Sequence, residues 1–132
     1  GEDMAAELRV KNKFENLVYA RSRLVHAGAS VGVDVIDVPY LDLENMEGMK
    51  REAQLVKDLG FTGKGSIHPK QINILNEIFT PSPEEIIKAK RIVNQFNEAN
   101  TGLVVIDGKL IEKPVLREMQ RKILVADKIS KN

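Results

Sequence analysis

The sequence predicts an α/β fold that forms part of a larger barrel or sheet. Two short segments with the character of buried parallel strands, residues 33–37 and 63–67, alternate with amphipathic helical segments. Two such strands are fewer than a parallel sheet normally has, and their open edges must be paired or covered. We therefore expect the chain of 132 residues to be one piece of a longer α/β protein.

The first helix and strand follow from hydrophobic periodicity. Apolar residues recur at helical spacing from Phe14 to Val31, and Gly32 is a natural stop. The β-branched run Val33 to Asp37 then predicts a strand that ends before Pro39, which cannot donate to a ladder. An acidic connection, residues 41–48, leads to a second helix over residues 49–59.

The later elements carry stronger local signals. Pro69 suits the first turn of a helix that directs Ile72, Leu75 and Phe79 inward. A capping box, Ser82 with Glu85, starts the next helix. The segment 102–114 predicts a hairpin that turns at Asp107-Gly108, and a last helix runs from residue 114 to about residue 128.

Composition excludes several classes of protein. A net charge of +1 with scattered Lys and Arg does not favour nucleic-acid binding, and no apolar run is long enough for a membrane span. The absence of cysteine excludes disulfides, a thiol nucleophile and thiolate zinc sites, so a cytoplasmic location is the expectation. The opening "GED" without an initiator Met suggests a processed or truncated start.

Three places could carry chemistry, because ligands of α/β folds bind at the carboxyl ends of strands. They are the acidic loop after Asp37, the Ile67-His68-Pro69 junction at a helix N-terminus, and Asp3. Each has a simpler interpretation: a solvated turn, a histidine that caps the helix, and an ordinary terminal aspartate. "GKG" is a weak phosphate signal, and we expect Lys64 and Lys70 to face solvent.

Several motifs together resemble the citrate lyase β-subunit family. They are "GED", "YARSRLVHAGASVGVDVIDVPYLD", "EGMKREAQLVKDLGFTGKGSIHPKQINILNEIFTPSPEEIIKAKRIV" and "GLVVIDGKLIEKPVL", in the family's order over nearly the whole chain. The resemblance implies the C-terminal half of a (β/α)8 TIM-type barrel with a C-terminal helical and hairpin extension. Residues 1–100 would be the partial barrel, and residues 101–132 a lid-like extension.

The resemblance also implies site residues. Asp3 matches the aspartate of the family's "GAED" signature, which binds Mg²⁺; the partner glutamate and a substrate-binding arginine lie upstream of the matched region. Ile67, His68 and Pro69 would line the thioester arm, with Asp37 at the CoA end. Glu112 takes the place of the acid/base aspartate on a lid from a neighbouring subunit, so the carboxylate sits one methylene further out.

The implied activity is a Mg²⁺-dependent retro-Claisen cleavage of a citryl, citramalyl or malyl thioester into an acetyl thioester and an oxo acid. The substrate carrier would be CoA or an acyl carrier protein. The expected assembly is a homo-oligomer, either a trimer or a dimer of fragments, or a complex with citrate lyase α and carrier subunits. The alternative is a truncated, inactive homologue that serves in assembly or regulation.

Overall fold

The computed structural model describes residues 1–130 and divides the chain into two compact units, residues 1–79 and the residues from Thr80 onwards. The elements are α1 (Glu2–Glu7), α2 (Phe14–Val31), β1 (Ile36–Asp37), α3 (Met46–Leu59), β2 (Gly63–Lys64), α4 (Pro69–Phe79), α5 (Pro83–Ala99), β3 (Leu103–Ile106), β4 (Lys109–Glu112) and α6 (Lys113–Ile129). No helix among residues 1–130 combines the length and the apolar character that a membrane crossing needs.

The two predicted strands of the first unit pair in parallel. Ile36 lies opposite Gly63 and Asp37 opposite Lys64. Each strand has only two residues, shorter than predicted, although backbone hydrogen bonds from Thr62 to Val35 and from Gly65 to Asp37 continue the pairing on both sides. Both strands therefore deliver their carboxyl ends to the same edge.

Helices α3 and α4 form the apolar core of the first unit. Its buried members are Met49, Ala53, Leu75 and Ile78. Helix α3 starts earlier than predicted, because the side chain of Asn45 accepts a hydrogen bond from the Gly48 N–H and caps the helix. The prediction that Ile72 faces inward was wrong: its side chain is exposed, and Gln71 occupies the buried position instead.

The second unit contains α5, the hairpin and α6. The predicted capping box of Ser82 and Glu85 is present, and both turn residues of the hairpin, Asp107 and Gly108, have positive φ, as a type I′ turn requires. The buried core consists of Ala89, Ile92, Phe96, Ile106, Ile111 and Met119. Helix α5 thus packs with the hairpin and α6. The division into a partial barrel, residues 1–100, and a lid-like extension, residues 101–132, stays a prediction.

Candidate functional site

Four charged side chains meet where the two parallel strands end. Arg21 comes from α2, Asp37 ends β1, Glu52 comes from α3, and Lys64 ends β2. We call these four residues the charge quartet. Because two are cationic and two anionic, the quartet is formally neutral.

The contacts within the quartet are short and alternate in sign. Lys64 Nζ lies 2.6 Å from Asp37 Oδ2 and 2.7 Å from Glu52 Oε1. Arg21 donates two hydrogen bonds to the Asp37 carboxylate, from Nε to Oδ1 at 2.9 Å and from Nη2 to Oδ2 at 3.2 Å. Its Nη2 also lies 3.5 Å from Glu52 Oε1. The quartet therefore joins both strands to the helices that pack on them.

Burial makes the quartet strongly interdependent. The Lys64 side chain is 0% exposed, and that of Asp37 only 4%. Burial raises the pKa of Asp37, but hydrogen bonds and charge from Arg21 and Lys64 outweigh it and hold the pKa below its ordinary value of 3.8. The guanidinium carbon of Arg21 lies 5.2 Å from the centroid of the Phe14 ring, a cation–π distance.

Sequence reasoning missed most of this cluster. Lys64 was expected in solvent but is buried, because its position in β2 places it directly opposite Asp37. A signal did exist for Arg21, which follows Leu17 by four residues on the buried face of α2. A cation in such a stripe indicates a buried anionic partner.

A cavity of about 220 Å³ opens beside the quartet, at the end of β1. Its wall includes Arg21, Glu52 and the segment of residues 38–42 that leaves β1. Glu2 and Asn12 line it as well, joined by a hydrogen bond of 2.7 Å from Asn12 Nδ2 to Glu2 Oε1. The cavity is thus polar, with carboxylates and one guanidinium.

The junction after β2 has a defined local geometry. His68 is exposed, and its Nδ1 lies 3.2 Å from the Lys70 N–H. Because that N–H can only donate, Nδ1 must accept, and a neutral imidazole then carries its proton on Nε2. His68 both caps α4 and offers a donor to the exterior; Ile67 and Pro69 beside it are also exposed.

Two further candidate residues are exposed at the starts of helices. Asp3 lies exposed in the first turn of α1, and Glu112 lies exposed at the N-cap of α6 in the second unit. Within residues 1–130, no group of three or more His, Asp or Glu side chains converges as it would around a metal ion. Lys70 is partly exposed, 3.6 Å from Glu44, as expected for a lysine at the surface.

The sequence around the two strand ends matches an established protein family. Residues 1–69, just over half of the chain, match the HpcH/HpaI aldolase/citrate lyase family. The protein belongs to this family, which confirms the resemblance in the sequence.

Individual relatives match over most of the chain. Citrate lyase subunit beta of Leuconostoc mesenteroides subsp. cremoris is 33% identical over 86% of this chain and 38% of the relative. The mitochondrial citramalyl-CoA lyase of Rattus norvegicus is 34% identical over 98% of this chain and 40% of the relative. The chain therefore spans about two fifths of the length of these relatives.

A solved structure extends the comparison to the fold. The protein CitE from Mycobacterium tuberculosis, in complex with magnesium, acetoacetate and coenzyme A, superposes with a TM-score of 0.80 at 25% identity. The match covers 96% of this chain and 49% of that one. The helix-rich α/β architecture is that of the family, while the half-barrel stays a prediction.

Proposed function

We propose that this chain supplies part of the active site of a Mg²⁺-dependent carbon–carbon lyase that cleaves 3-hydroxyacyl thioesters. The observation that carries the proposal is the structural match, over 96% of the chain, to a relative that holds magnesium, acetoacetate and coenzyme A. Relatives named citrate lyase subunit beta and citramalyl-CoA lyase support the same reaction class. Citryl, citramalyl and malyl thioesters are the candidate substrates.

The metal donors in the described residues fit Mg²⁺ in part. Mg²⁺ prefers oxygen ligands in an octahedron and is commonly held by one or two carboxylates plus water and substrate. Asp3 offers one exposed carboxylate of this kind, and no carboxylate cluster completes the set within residues 1–130. Bound Mg²⁺ would polarise the oxygens of the hydroxy acid and stabilise the developing oxo acid.

The junction after β2 is the proposed wall for the thioester arm. Ile67 and Pro69 present exposed apolar surface, and Nε2–H of His68 would donate to an amide or thioester carbonyl. Asp37 was predicted to contact the CoA end. Both oxygens of Asp37 accept hydrogen bonds from Arg21 and Lys64. We therefore propose that Asp37 fixes the start of the neighbouring loop instead of contacting the ligand.

The reaction itself needs two proton transfers. A carboxylate base removes the proton of the β-hydroxyl, the bond between the α and β carbons breaks, and its electron pair passes to the thioester enolate. Protonation of the α carbon then gives the acetyl thioester. Glu112 is the proposed acid, acting in the site of a neighbouring subunit. Compared with an aspartate, its extra methylene moves the carboxyl group by about 1 Å, and a displacement of this size can lower the reaction rate on the order of 100-fold.

Two measurements test this function. Calorimetric titration with Mg²⁺ should show weak binding that Asp3→Asn abolishes and the control Asp58→Asn, on exposed α3 surface, preserves. An assay for acetyl thioester release from citramalyl-CoA and malyl-CoA should show little turnover by the chain alone, because it supplies only one of the carboxylates. Robust turnover by the chain alone would contradict the proposal that its metal site is incomplete. Mg²⁺ binding that Asp3→Asn leaves unchanged would refute the assignment of Asp3 as a metal ligand.

One observation favours the second candidate, an inactive homologue that serves in assembly. The sheet of the first unit has only two strands. Val33, which precedes β1, is 58% exposed, and Ile36 in β1 is 69% exposed. Such an apolar edge pairs readily with another chain. Analytical ultracentrifugation decides: a tight dimer without lyase activity would support the assembly role, and a strict monomer would contradict it.

A further inference from the structure

Gln71 is a polar side chain at a buried helix position that an apolar residue usually occupies. It lies in the first turn of α4 on the buried face that also carries Leu75 and Ile78, and it is 0% exposed. A primary amide has two N–H donors and a carbonyl acceptor, and its burial is costly unless these groups find partners. The hydrogen-bond partners of this amide therefore indicate which parts of the structure it holds in place.

The carbonyl of Gln71 holds the loop that follows β2. Its Oε1 lies 3.0 Å from the Ile67 nitrogen and 3.1 Å from Ser66 Oγ, both of which can donate to it. Ser66 in turn accepts from the His68 N–H at 3.4 Å. The backbone that leads into the His68-Pro69 junction is thus fastened to α4 by one oxygen atom.

The nitrogen of the same amide holds the other strand-end loop. Gln71 Nε2 donates to the backbone carbonyl of Tyr40 at 2.9 Å, across 31 positions of the chain. Tyr40 belongs to the segment that leaves β1 and lines the cavity beside the quartet. One side chain therefore links the cavity wall to the junction after β2.

We propose that Gln71 is a positioning residue that fixes these two loops relative to each other and so sets the placement of Ile67 and His68 against a thioester arm. The inference rests on the proposed function, in which this junction forms the wall for that arm. Because Gln71 occupies the Ile67 N–H, recognition in this loop falls to Nε2–H of His68 and to the apolar surface of Ile67 and Pro69.

Two substitutions separate the two arms of this link. Gln71→Met removes both, while Gln71→Glu keeps an acceptor for Ile67 but loses the donor to Tyr40. An ionised carboxylate at this position accepts hydrogen bonds only, so it has no proton to offer the Tyr40 carbonyl. Gln54→Met is the matched control, since Gln54 is exposed on α3 and its amide donates to Asp58, one turn along the same helix.

Amide hydrogen exchange of the full chain, followed residue by residue by NMR, reports the link directly. In Gln71→Met the Ile67 N–H should exchange at least about tenfold faster, since a lost hydrogen bond opens the amide to solvent. In Gln71→Glu that amide should stay protected while resonances of residues 40–44 shift. Protected amides of α3 show whether each variant is folded. Unchanged Ile67 exchange in a folded Gln71→Met variant would overturn the proposal.

Titration with coenzyme A adds the functional readout. Wild type and Gln54→Met should bind with equal Kd, and both Gln71 variants should bind about two- to tenfold more weakly, the factor that corresponds to one net hydrogen bond. Equal affinity in the Gln71 variants would overturn the positioning role. If wild type itself does not bind coenzyme A, the proposed function of this loop fails, and the exchange data alone decide whether Gln71 fixes the loops.

Discussion

Nζ of Lys64 lies 2.6 Å from Oδ2 of Asp37, and neither side chain is more than 4% exposed. These two residues are paired in register at the ends of β1 and β2. The ion pair thus coincides with the last backbone pair of the parallel sheet. Both strand-end loops begin at this contact, so we expect loss of the ion pair to disturb the candidate site.

Loss of the Lys64 ammonium should therefore destabilise the protein strongly. Lys64→Met leaves Asp37 and Glu52 with only Arg21, and an uncompensated buried charge costs about 3–5 kcal/mol. Lys70→Met is the control, because the pair of Lys70 with Glu44 is partly exposed at 3.6 Å and contributes about 0–1 kcal/mol. Urea unfolding monitored by circular dichroism measures both. Similar losses in the two variants would contradict the structural importance of the quartet.

Acid should weaken the same cluster in a defined pH range. The pKa of Asp37 is lowered in the folded protein, so its contribution is complete above the ordinary value of 3.8 and is lost as the pH falls through the lower folded value. The difference in unfolding free energy between wild type and Asp37→Asn should shrink across that range. NMR titration of the wild-type Asp37 carboxyl group provides an independent check; a pKa at or above 3.8 would refute the prediction.

The capping box should stabilise the second unit measurably. Ser82 Oγ accepts from the Glu85 N–H at 3.2 Å, and the Glu85 carboxylate accepts from the Ser82 N–H at 3.0 Å. Ser82→Ala should cost about 1 kcal/mol, as is usual for a lost N-cap. Ser130→Ala, at the C-terminal end of α6 in the same unit, is the control and should be nearly neutral. Thermal unfolding would show the prediction to be wrong if both variants melt alike.

Gly60 should tolerate substitution less well than Gly32. Both end a helix in the left-handed region, with φ of 114° and 72°, where an L-residue costs about 1–2 kcal/mol. A Cβ at Gly60 would also lie 2.9 Å from Val25 Cγ1, whereas one at Gly32 meets no atom within 4 Å. Gly60→Ala should therefore lose more unfolding free energy than Gly32→Ala in urea titrations. The opposite order would contradict the packing at the end of α3.

Local signals sufficed for much of the fold. The bounds of α2, the stop at Gly32, the Ser82 capping box and the Asp107-Gly108 turn were all predicted, because each depends on residues close in the chain. The start of α3 was placed too late, since the Asn45 cap was not recognised in an acidic stretch. Hydrophobicity alone predicted that Ile72 faces inward, which was wrong because the polar Gln71 occupies the buried position of that turn.

By itself the sequence determined the family, the helical periodicity and the two strand ends where a site could lie. Tertiary structure decided which charges are buried together, since Arg21, Asp37, Glu52 and Lys64 come from four elements and meet only when β1 and β2 pair. It likewise decided that Gln71 links Tyr40 to Ile67. The physical reason is that burial and pairing of polar groups depend on distances across the fold, which local periodicity does not encode.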